Sequence, residues 1–215
     1  MYFFSAEGQR SWRGRRLFGN DGWCLPRRTV PLLCFFFSLC LLTGCRIFKA
    51  NSQVAFLGDS ITQQWAYPAA NFGLFGNTTS QMLERNSAIL SGQSYAKVVI
   101  LGGTNDVLLG IKPEITVGNL EKIGLAVQRS GAEPVLCEIP PIFHSFNPGD
   151  KKNYSNDVRN LNQQIARLAA EHRWKLADYY DPLLPHPRLS SDGVHIKRTG
   201  YLLMEIALLR VVPDA

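Results

Sequence analysis

Cysteine is scarce where a folded domain would use it. The chain has five, and Cys24, Cys34, Cys40 and Cys45 all fall in its first stretch. Only Cys137 lies beyond them, so the rest of the chain has neither a disulfide framework nor a cysteine-based metal site. Cys137 sits in an apolar, strand-like run and is expected in the core. Long apolar runs are also missing. The longest, Val30 to Leu42, is shorter than the roughly 20 residues that span a bilayer. No zinc-type spacing occurs, and no G-x-x-x-x-G-K-[ST] loop to cradle phosphates. There are no internal repeats, and beyond the first 44 residues no low-complexity stretch.

Excess positive charge is missing too, once its location is considered. The whole chain carries 23 Lys+Arg against 17 Asp+Glu, a formal +6. Six arginines (Arg10, Arg13, Arg15, Arg16, Arg27, Arg28) against Glu7 and Asp21 put +4 of this in the first 44 residues. The remaining residues carry only +2, which gives no footprint for nucleic acid. The arginines precede the apolar run, and the run ends in Leu42-Thr43-Gly44-Cys45. This arrangement resembles a bacterial lipoprotein signal: a basic n-region, an h-region and a lipobox cysteine. The resemblance implies cleavage before Cys45, lipidation of Cys45 and a protein held on a membrane of the cell envelope, facing the periplasm or the exterior. The division expected is a leader over 1–44, a linker over 45–52 and one domain over 53–215, a length suited to a single core.

The domain opens on Val54-Ala55-Phe56-Leu57-Gly58-Asp59-Ser60. Four apolar residues led by Val read as a buried strand. Gly58 permits a sharp turn, and Asp59 and Ser60 are helix-capping types. Ser60 is thereby expected where strand becomes helix, beside backbone N–H groups free to meet an anion. By itself the stretch is equally a plain helix cap. The pattern then repeats. A short strand in Asn71–Gly73 leads to a Gly turn, and a helix over 80–90 comes next. The strand 96–101 leads into the turn Gly102-Gly103-Thr104-Asn105-Asp106, with a helix over 115–129. The strand 133–139 stops at Pro140-Pro141, and 142–155 reads as a long loop. An amphipathic helix over 158–172, a strand over 176–180, a loop over 182–191 and a helix over 199–210 complete the pattern. Continuous apolar strands alternating with helices predict an α/β fold: a three-layer α/β/α sandwich around a parallel sheet of about five strands. Ligands of such sheets bind beyond the carboxyl ends of the strands, where the Gly-, Asn- and Ser-bearing turns all fall.

Four blocks share that edge: Gly58-Asp59-Ser60, Gly76-Asn77-Thr78-Thr79, Gly103-Thr104-Asn105-Asp106 and Ser191-Asp192-Gly193-Val194-His195. In this order they resemble the SGNH (GDSL) hydrolase superfamily, in its lysophospholipase and platelet-activating-factor acetylhydrolase-like branch. The resemblance covers about Val54 to Leu209 and implies the flavodoxin-like fold and a serine esterase without cofactor or metal. A serine hydroxyl needs a base, and imidazole titrates near neutral pH. Ser60 is then the nucleophile, His195 the base and Asp192 the group that orients it. The resemblance further implies an oxyanion hole from the Ser60 N–H, the Gly76 N–H (rather than Gly73) and the Asn105 amide. Asp59 is expected to fix its turn, Asp106 to support the Asn105 loop, His144 to rim a pocket and His172 to sit exposed at a helix end. Two departures stand out. Ile196-Lys197-Arg198 comes after His195 where many relatives have Pro, and the short span from Ser60 to Gly76 predicts an open site near Trp65 and Tyr67. The expected partner is a small-molecule, lipid or glycan ester, with Phe72, Phe75, Phe143 and Phe146 available to line its site. Two alternatives remain at this point: a lipid-tethered binding protein on the same scaffold without turnover, and a carbohydrate acetylesterase.

Overall fold

The computed structural model describes residues 51–91, 94–145, 147 and 149–213. The leader, most of the linker, Cys45 and Phe146 lie outside them. The elements are β1 (Asn51–Gly58), α1 (Ser60–Gln64), β2 (Ala69–Gly73), α2 (Thr79–Leu90), β3 (Lys97–Leu101), α3 (Thr104–Leu108) and α4 (Pro113–Arg129). Then come β4 (Glu133–Cys137), α5 (Ser155–His172), β5 (Lys175–Ala177), a 3-10 turn (Pro187–Leu189) and α6 (Arg198–Val211).

Among the described residues the five strands form one parallel sheet in the order β2-β1-β3-β4-β5. The central strands share buried runs: Val54 to Leu57, Val98 to Leu101 and Val135 to Cys137 are at most 3% exposed. A strand covered on both faces has no polar side to alternate with, which is why these runs are continuously apolar. The order reverses direction between β1 and β3. Right-handed crossovers therefore send α1 to one face and α2, α4 and α5 to the other, where these three pack in sequence. On the first face α6 reaches α1 through Tyr201, whose hydroxyl donates to the Ile61 carbonyl (2.7 Å). The expected sandwich is the observed fold.

Some local expectations need correction. The turn after β3 contains a short helix, α3. Gly103 enters it at φ +123°, and a Cβ there would sit 2.9 Å from Leu161 Cδ2. The helix has no side-chain N-cap, so nothing in the sequence marks its start. β4 and β5 end before Ile139 and Tyr180. In β5 the cause is local: Asp178 Oδ1 accepts from the Tyr180 and Asp181 N–H groups (2.9 and 3.0 Å), closing a turn. Trp65 is not an exposed residue, although it lines a cavity of about 600 Å³ with Ile196 and Tyr201. It is 5% exposed, ringed by Phe56, Tyr67, Tyr179 and Tyr201 at 5.1–5.8 Å. His172 is not a free surface residue either. It stacks on Trp174 at 4.3 Å and meets Glu121 Oε1 at 2.9 Å. Cys137 is buried as expected, and burial pushes its thiol up to about 12.

Candidate active site

The strand order reverses between β1 and β3, whose ends are paired, Gly58 with Leu101. A crevice opens at such a point in doubly wound sheets. Ser60 comes after β1 there as the first residue of α1 and is 4% exposed. Asp59 caps the helix, accepting from the Ile61 N–H at 2.9 Å. The turn is fixed as expected, and the site is too tight for a larger residue beside it. A Cβ on Gly58 would lie 2.0 Å from Thr62 Oγ1. Asp59 is fully buried, and its Oδ2 has no hydrogen-bond partner among the described residues. Desolvation pushes its carboxyl up to about 7, although bonds from the Ile61 and Thr62 backbone and the His195 charge oppose it.

The loop before α6 delivers Asp192 and His195 to the hydroxyl. His195 Nε2 lies 3.0 Å from Ser60 Oγ, and His195 Nδ1 lies 2.6 Å from Asp192 Oδ2. Asp192 Oδ1 accepts from the Val194 and His195 N–H groups (3.0 and 2.8 Å), so the carboxylate holds both the ring and its own backbone. Burial would raise the Asp192 carboxyl, but the bond from the imidazole and those from the His195 and Val194 backbone outweigh it and hold the group below its usual value. The loop is knitted shut. The Ser191 N–H and Ser190 Oγ donate to the His195 carbonyl (both 2.9 Å), and the Gly193 N–H donates to Ser190 Oγ (2.8 Å). Ile196, standing where many relatives have Pro, is buried and forms an antiparallel bridge with Ser190. Gly193 has φ +92°, and a Cβ would come within 2.5 Å of His144. His144 lines a neighbouring cavity of about 300 Å³ with Phe143, Tyr180 and Leu184.

The Gly76 block faces Ser60 from β2. The Leu74 N–H donates to the Gly58 carbonyl (3.1 Å), and the Asn77 N–H closes a turn onto the Leu74 carbonyl (3.2 Å). Gly76 takes φ +73° inside this turn, with nothing within 4 Å of where a Cβ would be. Its N–H has no partner among the described residues. Gly73 differs on both counts. Its N–H donates to Asn71 Oδ1 (2.9 Å), and a Cβ there would lie 2.1 Å from the Gln63 nitrogen. Asn105 arrives on α3 and donates through Nδ2 to the Asn77 carbonyl (2.9 Å), leaving its second amide hydrogen available. Behind it, Asp106 is buried and accepts from the Thr79 N–H (3.0 Å), Thr79 Oγ1 (2.5 Å) and Thr116 Oγ1 (3.0 Å), which ties α2, α3 and α4 together as a support for Asn105. Ser60, Gly76, Asn105, Asp192 and His195 thus share one edge. The arrangement offers a hydroxyl beside a base and, on the Gly76 turn, on Asn105 and at the start of α1, N–H groups without a partner among the described residues.

Sequence reasoning passed over two contributors, Asn71 and Arg85, and named Phe75 only among the aromatics available to line the site. Asn71 Nδ2 donates to the Thr62 and Trp65 carbonyls (2.7 and 3.1 Å), satisfying the end of α1. Its spacing two residues before Gly73 was a usable signal for an Asx turn. Phe75, 70% exposed, lies nearly parallel to the His195 ring, 5.9 Å away and tilted by 14°. Arg85 on α2 bonds to both Gly58 and Asn77. It falls about two helical turns after Asn77, but only the fold brings it to Gly58.

The profile of the GDSL-like Lipase/Acylhydrolase family matches residues 49–203. An arylesterase of Vibrio mimicus is 24% identical over 193 residues, covering 79% of this chain and 90% of that protein. The thioesterase 1/protease 1/lysophospholipase L1 of Escherichia coli K12 is 27% identical over 168 residues, covering 74% and 72%. The crystal structure of a GDSL-like lipase from Bacteroides thetaiotaomicron superposes with a TM-score of 0.68 at 22% identity, covering 83% of this chain and 97% of that one.

Proposed function

Because the chain belongs to the GDSL-like lipase/acylhydrolase family and is a carboxylic ester hydrolase, we propose that it cleaves its ester through an acyl-enzyme on Ser60. His195 takes the Ser60 proton as Oγ attacks the carbonyl, and returns it to the departing alcohol. Water, activated by the same imidazole, then releases the acid. Asp192 keeps Nδ1 protonated, so that Nε2 is free to act as base, and stabilises the imidazolium. The negative charge on the carbonyl oxygen meets the Ser60 and Gly76 N–H groups and the Asn105 amide. The Oγ–Nε2 separation of 3.0 Å, in line with Nδ1–Asp192 at 2.6 Å, carries this reading. A binder without turnover has no use for a hydroxyl, a base and an orienting carboxylate in series.

The test is a p-nitrophenyl ester series, acetate through palmitate, on the purified protein beside its Ser60→Ala variant. Turnover lost in the variant supports the nucleophile, and the chain-length optimum separates short-acyl or acetyl substrates from lipids. A folded protein that hydrolyses none of them and ignores a fluorophosphonate points instead to the tethered binding protein. The lipobox reading adds that Cys45 carries lipid and holds the enzyme on an envelope membrane facing the periplasm or exterior. Incorporation of labelled palmitate, absent from Cys45→Ser, tests that part separately.

A further inference from the structure

Arg85 is half-buried on α2, and both of its hydrogen bonds go to neutral oxygens. Nε donates to Asn77 Oδ1 (2.8 Å) and Nη2 to the Gly58 carbonyl (2.7 Å). No carboxylate pairs with it among the described residues, although desolvation already lowers its pKa. A half-buried cation without an anionic partner is costly to hold, so its two acceptors matter. Gly58 lies two residues before Ser60, at the end of the strand that carries it. Asn77 directly succeeds Gly76, and its carbonyl receives the Asn105 amide (2.9 Å). One planar guanidinium therefore spans the nucleophile strand and the Gly76 turn, and reaches Asn105 through Asn77. Beside it, the Leu74 N–H donates to the same Gly58 carbonyl (3.1 Å), where the pairing of β1 with β2 ends at Gly58 and Gly73. Guanidinium is rigid and offers its donors in a fixed fork, which an ammonium cannot reproduce.

We propose that Arg85 is a positioning residue of this hydrolase: it clamps the Gly76–Asn77 turn onto the strand that carries Ser60, and so sets the distance between the nucleophile and the groups that receive the oxyanion. The inference rests on the serine-hydrolase reading. Arg85 touches neither the substrate nor the reacting atoms. A displaced oxyanion donor lowers transition-state stabilisation and leaves ground-state binding intact. The loss therefore falls on kcat.

The experiment compares wild type, Arg85→Met, Arg85→Lys and Asn77→Ala in p-nitrophenyl ester turnover and in the rate of fluorophosphonate labelling, with circular dichroism to verify folding. Arg85→Met is expected to lose about 10- to 100-fold in kcat with KM nearly unchanged, somewhat less than removal of a whole oxyanion donor. Labelling should slow in parallel, because the phosphonyl oxygen needs the same donors. Arg85→Lys should recover only part of the loss. Asn77→Ala, which removes the Nε acceptor but keeps the turn backbone, should show a smaller loss of the same kind. If Arg85→Met does not fold, the lysine and Asn77 variants carry the test. A folded Arg85→Met with wild-type kcat, a lysine variant with full activity, or a loss that falls on KM alone would overturn the proposal. Wild-type turnover that survives Ser60→Ala would instead overturn the underlying reading.

Discussion

Replacing Asp192 by Asn probes the relay with almost no change in shape. Asp192 uses both oxygens: Oδ1 takes the Val194 and His195 N–H groups, and Oδ2 takes Nδ1–H. An asparagine has one acceptor and one donor end. If its carbonyl stays on the two backbone N–H groups, its amide nitrogen faces Nδ1. The imidazole must then hold its proton on Nε2, pointing at Ser60 Oγ, 3.0 Å away. Such a ring cannot accept the serine proton. If the amide flips to serve Nδ1, two backbone bonds to the loop are lost instead. The first arrangement keeps more bonds and should dominate. A wrong tautomer in an Asp–His–Ser relay lowers kcat by roughly 10⁴-fold. Asp192 has a side chain 38% exposed, so solvent softens the penalty, and about 10³-fold is expected. The assay is steady-state p-nitrophenyl acetate hydrolysis with thermal melting alongside. A folded Asp192→Asn within about fivefold of wild type, on the same scale, would refute the relay.

Asn105→Ala should lower kcat by about 100- to 1000-fold with KM little changed if the proposed oxyanion hole loses one donor; single-turnover kinetics would check it. Gly76→Ala has room for its methyl but must hold φ +73°, so a loss of about 1–2 kcal/mol in unfolding free energy is expected, measurable by urea denaturation. Asp59→Asn should change the pH dependence of stability. The Asp59 carboxyl rises from 3.8 to about 7 on folding, so its favourable contribution is complete below pH 4 and disappears as pH climbs through 7. The total change across that window amounts to roughly 4 kcal/mol at most. Glu138, pushed up to about 7 mainly by burial and then by Asp178, acts with the same sign. The difference between wild type and Asp59→Asn isolates Asp59, and parallel stability curves from pH 4 to pH 8 would contradict its assignment.

The fold was legible because the sheet is covered on both faces. Burial turns β1, β3 and β4 into uninterrupted apolar runs that differ plainly from the 3.6-residue period of α5. Ser60, Gly76, Asn105, Asp192 and His195 were legible because each stands in a short block that turns at a strand end, and short blocks keep their chemistry in sequence. The features that stayed hidden depend on tertiary contact. α3 begins at a glycine with no capping side chain. Trp65 reads as an exposed residue in a short connection, because Phe56, Tyr179 and Tyr201 reach it only in the fold. His172 meets Glu121 only when α4 and the end of α5 come together. Arg85 reads as an ordinary polar helix residue, because Gly58, its second acceptor, is 27 positions away.

A covalent acyl-enzyme on Ser60 is best sought by intact-protein and peptide mass spectrometry after a brief incubation with a slowly hydrolysed aryl ester or a fluorophosphonate. One adduct per chain is expected, located on the peptide containing Ser60, abolished in Ser60→Ala and strongly slowed in Asp192→Asn. An adduct on another residue, or ester turnover that proceeds at the wild-type rate in Ser60→Ala, would contradict it.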